Sequence, residues 1–209
     1  MRYPGSLKAL IYIFHMPLFF FLSGYVHNNG VSMGGFALKK AKSLLYPYYV
    51  IGTIYILHNT LLDVLMRKFE WGVWKRVAAF LYGNYIWDNN ASYIGTLWFL
   101  AALFCVESIF ELLRRYSAKS AKLDRTLFFM IIGTVIVGCV IARLINASRV
   151  LTAYNSGYRL PYCIDIALVA VFFHYIGYEL RRNSELLSKS IGNKAVLAII
   201  LGFVGVLLG

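Results

Sequence analysis

Apolar residues in this chain come in blocks of nearly the length that crosses a bilayer, roughly 20 residues. The first block carries two residues that such a block rarely tolerates. It reads Ile11-Tyr12-Ile13-Phe14-His15-Met16-Pro17-Leu18-Phe19-Phe20-Phe21-Leu22-Ser23-Gly24-Tyr25. A histidine in hydrocarbon is costly and needs a protein or water partner. The proline removes the amide hydrogen that would bond the Ile13 carbonyl, and it bends the helix there. Composition extends the same reading to the whole chain. Hydrophobic residues make up 60% and charged residues 14%, against about 45–50% and about 25% in soluble domains. The expected architecture is an all-α, polytopic integral membrane bundle forming a single domain over residues 1–209.

Hydropathy places about six transmembrane helices, at residues 7–26, 44–62, 92–113, 126–145, 162–180 and from 195 onward. Residues 66–85 mix Arg67, Lys68, Lys75 and Arg76 with Trp71, Trp74, Phe80 and Tyr82. That mixture predicts an amphipathic helix lying along the interface. The net charge is +12, yet the basic residues sit in short clusters between apolar blocks and no recognition motif accompanies them, so nucleic acid is not an expected partner. The segments at residues 27–43, 114–125 and 181–194 share one side and hold 12 Lys and Arg, against 9 on the other. The positive-inside rule assigns the first group to the cytoplasm. The start of the chain then lies outside without a cleavable signal, and the block after residue 195 is short. Both features lead to the expectation of a piece of a larger membrane protein. Cys105, Cys139 and Cys163 are odd in number, lie in or beside apolar segments and lack metal-ligand spacing. Neither a disulfide framework nor a metal is expected from them.

Four stretches together resemble one family. Phe14-His15-Met16-Pro17-Leu18-Phe19-Phe20-Phe21-Leu22-Ser23-Gly24-Tyr25 resembles the second-helix signature of the acyltransferase 3 family, in the branch similar to fucose 4-O-acetylases. Lys39-Lys40-Ala41-Lys42-Ser43-Leu44-Leu45-Tyr46-Pro47-Tyr48 resembles its basic run into a Pro-Tyr helix start. Gly95-Thr96-Leu97-Trp98-Phe99-Leu100 resembles a Gly-Pro-Leu-Trp-Phe-Leu segment, with Thr96 where proline is usual. Leu160-Pro161-Tyr162-Cys163-Ile164-Asp165-Ile166-Ala167-Leu168, followed by Gly177-Tyr178, resembles a later helix built around an aspartate. The resemblance implies a multi-pass enzyme of the bacterial inner or plasma membrane. It would move an acyl group, usually acetyl from cytoplasmic acetyl-CoA, onto a hydroxyl of a cell-envelope carbohydrate or lipid-linked glycan. Family members begin with a further helix bearing an important histidine and end with additional helices, so this chain is expected to be a fragment.

Acyl transfer to a hydroxyl needs a base for its proton and donors for the developing oxyanion. His15 is the expected base, or binds the acceptor if the family's first-helix histidine is the base; a bond to the carbonyl freed by Pro17 is the structural alternative. Ser23, beside Gly24, suits either ligand approach or close helix packing. Asp165 either caps its helix, where a carboxylate is favourable near the N-terminal dipole, or binds sugar hydroxyls or orients a histidine. His174 lies about half a rotation from Asp165 on the same helix and reads as structural. Trp98 reads equally as an interfacial anchor and a sugar platform. Glu111 can reach Arg114 and Arg115 at i+3 and i+4, whereas Glu107 lies deeper and is a substrate-binding candidate. Lys39, Lys40 and Lys42 are candidates for the coenzyme A phosphates, or are topology determinants. His58 reads as interfacial. Two competing functions remain: a transporter or flippase whose intramembrane polar groups line a path, and an inactive fragment.

Overall fold

The computed structural model describes residues 6–28, 32–66, 77–78, 80–82, 97–119, 123–152 and 160–190. Its regular structure is entirely helical. Helix α1 spans Ser6–Tyr25, α2 Met33–Lys40, α3 Tyr46–Leu65, α4 Trp98–Ser117, α5 Leu123–Thr152 and α6 Ile164–Ser190. A π-helical turn, Ala41–Leu45, joins α2 to α3, and a 3-10 turn, Pro161–Cys163, leads into α6. The helix expected from residue 195 and most of the expected amphipathic stretch lie outside the described residues.

Helix α6 is the centre of the bundle, with α1, α4 and α5 packed around it. The shared core joins Phe20 of α1, Ala102, Val106 and Phe110 of α4, Leu127 and Ile131 of α5, and Ala167, Ala170, Val171 and Tyr178 of α6. Small residues set the closest crossing. A Cβ built on Gly24 would stand 1.9 Å from the His174 carbonyl oxygen, and one on Gly177 would stand 1.9 Å from that of Phe21. Only glycine at both positions lets the two backbones touch, which is how helices approach closely in a membrane.

A second, smaller core gathers Tyr48, Ile56, Phe80 and Ala101. The Tyr48 hydroxyl donates to the Phe80 carbonyl at 2.7 Å, and the two rings stack at 5.2 Å. The described part of the expected interfacial helix is thus tied into the bundle through Phe80. Tyr162 and Cys163 both take φ of 54°, a left-handed conformation that bulky side chains seldom adopt. The Tyr162 amide donates to the Tyr82 carbonyl at 3.0 Å, and its hydroxyl bonds that of Tyr49; these contacts hold the bend that opens α6.

Several boundaries differ from the sequence reading. Residues 33–40, which the sequence left between two predicted helices, form α2, started by Ser32, whose hydroxyl accepts the Gly35 amide at 3.3 Å. The π turn that follows accommodates Pro47, whose ring would meet the Ser43 carbonyl in a tight α-helix. The last two helices also run longer than expected. Helix α5 continues past its expected end at residue 145, and α6 passes through Arg181 and Arg182 rather than stopping at residue 180. Both arginines have partners: Arg182 pairs with Asp124 at 2.7 Å, and Arg181 donates to the carbonyls of Tyr25 and His27 at 3.2 and 3.0 Å.

Among the described helices two are long and apolar enough to cross a membrane, Leu123–Ile145 with mean hydropathy 2.5 and Pro161–Ser184 with 1.6. Of the six or so expected spans, these two meet that test among the described residues. Helix α4 is held back by Glu107, Glu111, Arg114 and Arg115, whose charges are turned onto one another.

Candidate functional site

Helix α1 ends with tight turns, the His27 amide donating to the Gly24 carbonyl at 3.1 Å. With its own carbonyl held by Arg181, His27 is turned back into the bundle, where its side chain is buried. Helix α4 places Glu107 and Glu111 one turn apart, on one face. His27 sits between them, Nδ1 3.2 Å from Glu107 Oε2 and Nε2 3.1 Å from Glu111 Oε2. Such a ring satisfies both carboxylates only when both nitrogens carry hydrogen, or when a carboxyl holds the proton.

The outer oxygens of the two carboxylates are also occupied. Lys40, at the end of α2, donates to Glu107 Oε1 at 2.7 Å, and the Ser23 hydroxyl donates to the same oxygen. Arg114 grips Glu111 with two bonds of 2.8 Å, and Arg115 adds one of 2.6 Å. Lys40 is 22% exposed and is where the cluster meets the surface. Its ammonium lies 5.6 Å from the centre of the Phe36 ring, and Phe36 in turn packs on His27 at 5.3 Å.

His174, from the middle of α6, closes the inner side. Its ring stands edge-on to His27 at 5.3 Å and packs on Phe110 at 4.5 Å. The residue is completely buried, and neither ring nitrogen has a hydrogen-bond partner among the described residues. An unsatisfied buried polar group costs about 1–3 kcal/mol, so this ring occupies a site that packing alone would fill better with phenylalanine. His174 lies about 10 Å along the axis from Arg181. The cluster is therefore inboard of a basic rim formed by Arg114, Arg115, Arg181 and Arg182.

Of the residues expected from sequence, Ser23, Glu107 and Lys40 converge here. The i+3 and i+4 pairing of Glu111 is present as expected. Lys39 and Lys42 are exposed on the outside of α2 and the π turn. His15, Trp98 and Asp165 stand apart from the cluster. His15 is exposed, with its ring edge-on to Phe19 at 4.6 Å. Trp98 is half-buried at the start of α4, 6.3 Å from Phe99. Asp165 is buried at the start of α6, where with Met16, Pro17, Phe20 and Phe173 it lines an otherwise apolar cavity of about 310 Å³. His27 escaped the sequence reading. It follows the first apolar block in a stretch of asparagines, where a histidine looks solvated, and no local pattern marks its return to the interior.

Two described helices long and apolar enough to cross a membrane, around a buried histidine–carboxylate group, are the features of a membrane protein with a polar interior site. The chain matches, over residues 1–209, the family model described as an acyltransferase domain. It belongs to the acyltransferase 3 family, and that membership makes it a membrane acyltransferase. No curated protein and no solved structure matches it.

Proposed function

We propose that this chain transfers an acyl group, acetyl in the first instance, from acyl-CoA to a hydroxyl of a cell-envelope carbohydrate or lipid-linked glycan. The observation that carries the reading is the buried His27–Glu107–His174 group behind a basic rim, in a chain of this family. Acyl transfer needs a proton acceptor for the attacking hydroxyl, and imidazoles beside a carboxylate supply one. It also needs donors where the carbonyl oxygen becomes negative, which Lys40 and Ser23 offer next to Glu107. The basic end faces the cytoplasm by the positive-inside rule. There the exposed Lys39 and Lys42 meet the coenzyme A phosphates, while Lys40 stays with Glu107. Asp165, Trp98 and His15 serve the acceptor, Asp165 from the Pro17 cavity and His15 by orienting the hydroxyl-bearing ring.

The test follows labelled acetyl from acetyl-CoA into envelope glycans in membranes carrying the full-length protein. Glu107→Gln is expected to lower transfer by about 100-fold or more at unchanged membrane expression. His15→Ala is expected to lose acceptor saturation before it loses donor binding. Absence of transfer to any of the host's glycans refutes the assignment, and unchanged transfer by His15→Ala returns that residue to packing.

A further inference from the structure

We propose that His27, Glu107 and His174 form a binding site for one divalent transition-metal ion of the zinc type. The three residues come from the end of α1, the middle of α4 and the middle of α6. They are all buried, and their ligand atoms lie within 4.8 Å of one another. Two imidazoles and one carboxylate are a donor set suited to zinc and its neighbours, rather than to calcium or magnesium.

The orientation of the donors supports a common ligand. Glu107 turns Oε1 toward Lys40 and Ser23 and Oε2 toward His27 Nδ1, 3.2 Å away. A tetrahedral zinc ion spaces its ligand atoms by roughly 3.4 Å, so this pair is already near the separation it requires. His174 has to come closest to the ion by its own rotation, and no hydrogen bond among the described residues holds it back. A metal gives that buried ring a partner that no described residue supplies.

The surroundings match those of a metal-bound histidine. Such a ring donates its second N–H to a carboxylate. His27 Nε2 faces Glu111 Oε2 at 3.1 Å, and Glu111 is fixed by Arg114 and Arg115. Lys40, Arg114 and Arg115 engage Glu107 Oε1 and Glu111, leaving Glu107 Oε2 to the two rings. Without an ion, His27 stands between two carboxylates and His174 has no hydrogen bond among the described residues. With one, both rings have a partner. Three protein ligands leave a coordination position open, the arrangement of catalytic rather than structural zinc sites, and a zinc-bound water there would take over the proton-accepting role assigned above to the imidazoles.

The full chain, purified in detergent with a histidine-free tag, is equilibrated with micromolar free zinc and its metal content measured. About one zinc per chain is expected, and cobalt substitution should give the visible absorption of a tetrahedral site. His174→Phe, which keeps the packing on Phe110, should abolish binding. Glu111→Gln should weaken it about 10–100-fold. His58→Ala, on the exposed side of α3, should bind as the parent does. A parent protein that stays free of zinc overturns the inference, as does full zinc binding by a folded His174→Phe protein. Acyl transfer by a parent protein that takes up no zinc overturns the metal site and leaves the acyl-transfer reading standing; bound zinc without any transfer does the reverse.

Discussion

Glu111 shows how two neighbouring ion pairs in one cluster differ in weight. Arg114 makes two parallel bonds to it and is largely covered, whereas Arg115 makes one and its side chain is 34% exposed. A bidentate guanidinium adds geometry and strength, while a solvated single contact contributes about 1 kcal/mol or less. Arg114→Ala should therefore lower the thermal midpoint in detergent clearly more than Arg115→Ala, and equal shifts would show the bidentate grip to be unimportant. This pairing was legible beforehand, because i+3 and i+4 neighbours on a helix meet wherever the helix goes. Ser23, Glu107 and Lys40 were each visible as polar residues in or beside apolar blocks. Their meeting was not, since they come from three segments distant in the chain.

At the scale of helices, the crossing of α1 and α6 is set by Gly24 and Gly177. A methyl group at either position would overlap a backbone carbonyl on the other helix, and backbone cannot move aside as a flexible side chain does. Gly24→Ala and Gly177→Ala should each cost about 1–3 kcal/mol or more, read as a drop in thermal midpoint. The same separation would pull His174 away from His27, so transfer should fall as well. A variant as stable as the parent would mean that the helices do not touch there. Helix positions were largely apparent from the apolar blocks, but helix ends were not. Arg181-Arg182 read as a stop, yet α6 continues because those side chains bind the end of α1 and Asp124. Such long-range partners override the local appearance of a terminus.

For the molecule as a whole, the basic rim assigns a direction. Lys119 is exposed just beyond α4, at the end of the bundle that carries Arg114 and Arg115. Lys119→Cys should react with a membrane-impermeant maleimide only from the cytoplasmic face of sealed vesicles. The native cysteines Cys105, Cys139 and Cys163 lie within the helices or their turns and set the background. Labelling from the opposite face would invert the bundle and place the proposed coenzyme A side outside.

Sequence by itself determined the helical membrane class and the family, because both are written in local quantities: block length, charge between blocks, and short ordered motifs. It also exposed most of the polar residues worth watching. Only the tertiary structure decided which of them meet. His27 becomes buried because Arg181 and the turn after Gly24 fold it back between Glu107 and Glu111. His174 comes to stand beside it because two glycines let α1 and α6 touch. His15, the residue the first block marks most strongly, stays outside that cluster because it lies on an exposed part of α1. Proximity in a bundle depends on packing between distant segments, and no spacing along one chain segment encodes it.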